Sequence, residues 1–230
     1  MNRLLSVSLI ALTLAAGTSP KLVAQSPALQ KGVHVELAST SNAAPMPDAD
    51  YAGAWIMTIT DNGTEHLGTE PITPTALPDE MKNRFRDPQK KLYIKADART
   101  PYANVENVIE AARSAGVAAL TLLTAQQESP APGTIVSPKG LGVLLDAPSG
   151  SGSIMVQVLS SGRQAPILKI NHQTVSSEGL RNTLTQAFQN RSDKVILLNA
   201  DGQLSFAQVV RIIDTCRATG ATVVLVTPEL

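Results

Sequence analysis

The chain has 230 residues, 43% hydrophobic and 17% charged, the balance of an ordinary globular protein with room for one large or two small domains. Lys plus Arg and Asp plus Glu both count 19, so there is no basic excess to hold a phosphate backbone, and nucleic acid is not an expected partner. A single Cys forbids an internal disulfide, and the three His at positions 34, 66 and 172 have no metal-ligand spacing.

Residues 1–24 carry Arg3, an apolar run from Leu4 to Ala16, the breakers Gly17 to Pro20 and the ending Leu22-Val23-Ala24, the layout of a secretory signal. The run rises about 20 Å as a helix, short of a hydrocarbon core of roughly 30 Å. Cleavage is expected, which places the mature chain outside the cytoplasm; the alternative is an uncleaved short anchor. Export argues against ATP-dependent chemistry, and Gly140-Leu141-Gly142 lacks the third Gly of a dinucleotide fingerprint. No cofactor is expected.

Self-comparison shows a repeat. Residues 90–123 align without a gap on 194–227 at an offset of 104, pairing Ala96/Ala200, Asp97/Asp201, Val105/Val209, Ile109/Ile213, Arg113/Arg217 and Gly116/Gly220. The pairs Tyr102/Phe206 and Glu110/Asp214 fall in the same register. The expected domains are copy one over 31–125, a Pro- and Gly-rich linker over 126–138, and copy two over 139–230.

In chain order, copy one opens with a strand over Val33–Leu37, a loop over Ala38–Gly53 and a strand over Trp55–Thr60 that enters the turn Asp61-Asn62-Gly63. A third strand returns over Glu65–Leu67, and Leu77, Met81 and Phe85 mark a helix by their spacing. Then come a strand over Leu92–Ala96, a second helix and a strand over Ala118–Leu123. Copy two repeats this order with strands over Leu141–Leu145, Ile154–Leu159 and Ile167–Ile170, a helix marked by Leu180, Leu184 and Phe188, a strand over Val195–Asn199, a second helix, and a strand over Thr222–Val226.

In the second helices Val105, Val108, Ile109 and Ala112 form one buried stripe, repeated as Val209, Ile212, Ile213 and Cys216. Gly116 and Gly220 stand where a left-handed C-cap suits Gly, and Arg113 and Arg217 in the last turns favour the helix dipole. The fold class expected is α+β: two tandem β-β-β-α-β-α-β modules, each a mixed sheet with two helices on one face.

The run Ile94-Lys95-Ala96-Asp97-Ala98, Pro101-Tyr102, Val105, Val108-Ile109, Arg113 and Gly116 resembles the periplasmic domain of the ExbD/TolR biopolymer-transport family, clearly over 31–125. Copy two resembles it more faintly over 139–230 through Ala200-Asp201, Phe206, Val209, Arg217 and Gly220. The resemblance implies a non-enzymatic periplasmic or inner-membrane role coupled to proton motive force. Implied partners are an ExbB/TolQ-like channel, a TonB-like protein or peptidoglycan. The family's proton relay uses an Asp in its membrane helix; Leu4–Ala16 has no Asp or Glu, so no relay is expected in that run. Because the family works as dimers, the two copies are expected to form an intramolecular pseudo-dimer.

Asp97 and Asp201 follow a strand and precede a helix, a placement that suits catalysis or simple turn shaping. No local His, Cys or Ser supplies a nucleophile pair, so turn shaping is expected, with a small exported hydrolase using Asp97 or Asp201 as the rival reading. Tyr102 and Phe206 are expected to pack against the sheet, Cys216 to be a core residue, and His34 to be solvated.

Overall fold

The computed structural model describes residues 33–51, 53–84, 91–126, 137–148, 152–162 and 164–227; the signal region 1–24, Phe85 and linker residues 127–136 lie outside them. Copy one contains β1 (Ser39–Thr40), β2 (Ala44–Pro45), a 3-10 turn over Pro47–Asp50, β3 (Trp55–Ile59), β4 (Glu65–Leu67), β5 (Glu70–Ile72), α1 (Leu77–Arg84), β6 (Leu92–Ala96), α2 (Tyr102–Ser114) and β7 (Ala119–Gln126). Copy two contains β8 (Lys139–Leu144), β9 (Ile154–Leu159), β10 (Ile167–Ile170), β11 (Gln173–Val175), α3 (Ser177–Ala187), β12 (Val195–Ala200), α4 (Phe206–Arg217) and β13 (Thr222–Leu225).

The class is α+β with a mixed sheet, but the two halves share that sheet. Its path runs β11-β10-β9-β12-β13-β8-β7-β6-β3-β4-β5, with β1 on β7 and β2 on β8. Outward from β8, the order β7-β6-β3-β4-β5 on one side mirrors β13-β12-β9-β10-β11 on the other. The strand β8 joins them, antiparallel to β7 over six residue pairs and parallel to β13 at Leu144–Val224. At this seam Gly140 lies so close to its neighbour that a Cβ there would stand 2.9 Å from the Leu122 carbonyl oxygen.

Three expectations are corrected. Val33–Leu37 is not a strand: the Glu36 N–H bonds the Asp97 carboxylate and the Ala98 N–H bonds the Glu36 carbonyl. The loop predicted over Ala38–Gly53 contains β1, β2 and the 3-10 turn, and Ala49 seals a small second core with Ile56, Tyr93 and Leu123 on the face away from the helices. Short third hairpin strands, β5 and β11, precede the first helices; β11 follows a tight turn in which Asn171 and His172 both take positive φ, the two-residue hairpin geometry.

The difference between the halves is visible in their strands. Every residue of β6 is buried, as expected of a strand covered on both faces, whereas its counterpart β12 leaves Leu197 and Asn199 half-buried, a strand with one face less covered. The helix stripes bury as expected: Val105, Val108, Ile109 and Ala112 on α2, and Val209, Ile212, Ile213 and Cys216 on α4. Gly116 (φ +83°) and Gly220 (φ +76°) close these helices in the left-handed conformation. One hydrophobic core runs through both halves.

Candidate functional site

The two strand-to-helix corners meet each other across the halves. Asp97 follows β6, and its Oδ1 accepts the Arg99 N–H at 3.0 Å. Asp201 follows β12, and its Oδ1 accepts the Gln203 N–H at 2.9 Å. These are the same turn-shaping bond at the 104-residue offset. Asp97 also takes the Glu36 N–H and the Arg99 side chain, and the Arg99 guanidinium holds its carboxyl down at about 2. A carboxylate so fully engaged, with no nucleophile bonded to it, has the features of a turn former rather than of a general base.

Past these turns the helices start against each other. The first N–H groups of a helix lack internal partners. On α2, the Tyr102 and Ala103 N–H groups donate to the Leu204 and Gly202 carbonyls at 2.7 and 3.0 Å. On α4, the Phe206 and Ala207 N–H groups donate to the Thr100 and Ala98 carbonyls, both at 2.9 Å. Each pair maps onto the other under the offset of 104, so the arrangement is two-fold, with the Pro101–Ser205 bridge at its centre. Ser205 additionally caps α4 through a capping box with Gln208, whereas Pro101 gives α2 no side-chain cap. The start of α2 therefore depends on the other half. Tyr102 and Phe206 are both buried.

The paired arginines diverge. Arg113 does more than face its helix end: Nη1 donates to Glu110 and Thr227 at 2.6 and 2.7 Å, Nη2 to the Leu145 and Leu225 carbonyls at 3.2 and 3.0 Å, and Nε to Leu145 at 3.4 Å. It ties α2 to the ends of β8 and β13. Arg217 is half-buried and makes no such tie among the described residues.

The acids one turn earlier diverge too. Asp214 on α4, 7% exposed, accepts the Ser41 and Asn42 backbone N–H groups at 2.9 Å each and so seats the bend that leaves β1. Its counterpart on α2, Glu110, binds Arg113 and Thr227 instead. Beside it a cavity of about 700 Å³ opens between α2 and the ends of β8 and β13. Glu106, Glu110 and Arg113 line it from α2, with Leu145, Asp146 and Leu225 opposite. The Glu106 Oε1 is buried without a partner, and burial, with Asp201 nearby, holds its carboxyl above the usual carboxylate range.

Among the described residues no group of His, Cys, Asp and Glu is placed to hold a metal, and no helix is long and apolar enough to cross a membrane. His34 is exposed. Cys216 is buried and its thiol is pushed up to about 12 by that burial, an inert core position. The repeat pairs Glu110 with Asp214 without assigning either a role, and it does not mark Glu106, whose repeat partner is Val210. The available signal was helical spacing: 106, 110 and 113 share one face of α2.

A family model described as Biopolymer transport protein ExbD/TolR matches residues 20–127 and, separately, 135–229. No curated protein matches the chain.

Proposed function

The chain belongs to the ExbD/TolR biopolymer-transport family, and from that premise we propose that it is an exported, non-catalytic envelope module. In this reading two ExbD/TolR-like periplasmic domains, 31–125 and 139–230, are joined as one pseudo-dimer that binds a partner of a transport complex driven by proton motive force. An accessory role in biopolymer transport comes with the family. The observation that carries the finer reading is the reciprocal capping of α2 and α4 across the two-fold centre, the contact pattern of an isologous dimer interface.

Of the partners the family suggests, an ExbB/TolQ-like channel, a TonB-like protein or peptidoglycan, a polypeptide suits the geometry best. Asp214 already holds a segment of this chain by its backbone N–H groups, and the cavity beside Glu110 lies at the corresponding place on the other half. The outer strands favour neither end of the sheet: β5 carries Pro71 and β11 has three residues, both features that blunt an edge.

Two measurements test this reading. Light scattering of the mature protein is expected to give a monomer, and halves produced separately are expected to dimerise; dimerisation of the intact chain would refute the pseudo-dimer. N-terminal sequencing of the native protein from separated membrane and soluble fractions is expected to begin near Gln25 in the soluble one. An intact Met1 in the inner-membrane fraction would make it an anchored subunit instead.

A further inference from the structure

We propose that the cavity between α2 and the end of β13 is a receptor for a basic polypeptide segment, which lies extended and sets a Lys or Arg side chain between Glu106 and Asp146. The inference rests on the reading of the protein as a binding module and adds the chemistry of what it binds.

Charge decides the sign of the occupant. Three carboxylates and one guanidinium line the cavity, but Arg113 is spent. Its Nη1, Nη2 and Nε donate to Glu110, Thr227, Leu225 and Leu145, which uses the donor set of a guanidinium. Glu110 offsets its charge, and no donor is left over for an anion or for another acid. Glu106 and Asp146 have no ion-pair partner among the described residues, and the Glu106 Oε1 is buried with no hydrogen bond at all. With Glu110 offset by Arg113, Glu106 and Asp146 leave the lining net negative, which favours a cationic occupant. An anionic segment would meet like charge there, and a plain apolar one would leave both acids without a counter-charge.

Shape decides the class. The volume, about 700 Å³, is that of a site for a few residues or a small ligand. Leu145, Leu197 and Val224 supply apolar wall for the side chains that alternate with a basic one on an extended strand. The other half shows that polypeptide fits such a place, since the gap beside Asp214 is filled by the bend at Ser41–Asn42, held through its backbone N–H groups.

The test uses the intact mature protein and three fluorescently labelled, end-blocked peptides, Ser-Val-Xaa-Val-Xaa-Val-Ser with Xaa as Lys, Gln or Glu, followed by anisotropy. The Lys peptide is expected to bind about tenfold or more tightly than the Gln peptide, and the Glu peptide more weakly still. Glu106→Gln with Asp146→Asn is expected to erase the Lys preference while leaving the thermal transition and far-UV circular dichroism in place. Glu178→Gln, on the exposed start of α3, is expected to change nothing. Equal binding of the three peptides, or a Lys preference that survives the double substitution, overturns the proposal. So does failure of all three to bind. If none binds while a photo-cross-linker at Ala147, on the same lining, still captures a subunit of the transport complex in cells, the basic-segment inference fails and the binding-module reading stands; loss of both signals removes the two together.

Discussion

Replacing Asp214 by Ala tests whether the N-terminal segment is held as the structure shows. Both carboxylate oxygens are used: Oδ2 accepts the Ser41 N–H and Oδ1 the Asn42 N–H, each at 2.9 Å, from a side chain buried to 7% exposure. Hydrogen bonds to a charged group contribute about 1.5–3 kcal/mol each. Once freed, the two amides regain water, which returns part of the loss, so a net cost of about 3 kcal/mol is expected for holding residues 41 and 42 in place. At about 1.4 kcal/mol per tenfold, their hydrogen exchange is expected to speed up about a hundredfold. Exchange at the Ile196–Leu198 amides of β12 is expected to follow only the global stability and to change far less. Nuclear magnetic resonance exchange on the intact chain reads both sets at once. Unchanged exchange at Ser41 and Asn42 would show that other contacts seat the segment, and the comparison between Asp214 and Glu110 would lose its basis.

Glu65, 2% exposed on β4, has its carboxyl raised by burial to about 7, so its contribution to stability is full below about pH 4.5 and is lost as pH rises through about 7. Glu65→Gln is expected to add about 3 kcal/mol in urea unfolding at about pH 8 and nothing at about pH 4; equal effects at both would refute burial as the cause. Asp97 is the opposite case. With its carboxyl at about 2, it stabilises above about pH 4 and the contribution fades as pH falls toward 2, so Asp97→Asn is expected to cost about 2 kcal/mol at neutral pH and to flatten the acid limb while leaving partner affinity within about 1 kcal/mol. Gly140→Ala places a methyl 2.5 Å from Thr121 Cγ2 and 2.9 Å from the Leu122 carbonyl oxygen, and calorimetry is expected to show a loss of about 1–3 kcal/mol; full stability would mean that the β7–β8 seam is looser than described.

The repeat made most of the elements legible, because a pattern that recurs at one offset carries twice the information of a single amphipathic run. The spans of β4, β6, β9 and β10 read directly from apolar alternation and turn residues, and Gly116 and Gly220 located the helix ends by the conformation only glycine takes easily. The alternation at Val33, Val35 and Leu37 misled. A strand needs a ladder partner, and the edge of β7 it would use is occupied by β8 from the other copy, so Glu36 bonds the Asp97 corner instead. That competition between two similar segments for one slot is a property of the whole fold. The residues proposed for binding were hidden for the same reason. Glu106 and Asp214 are ordinary helix acids by composition; one is set apart by an unpartnered oxygen, the other by amides 172 and 173 residues away in sequence.

The two-fold corner has a consequence for stoichiometry. Identical subunits must present every surface twice, and any change in one appears in both. Two copies written separately into one chain are released from that constraint: Glu106 stands opposite Val210, Gly202 opposite Ala98, and Glu110 and Asp214 take different partners at equivalent positions. Among the described residues, the gap beside Asp214 is filled by the chain itself and the cavity beside Glu110 is open. A monomer built this way offers a partner one seat rather than two, so it is expected to form one-to-one complexes and to be unable to bridge two partners into a larger assembly.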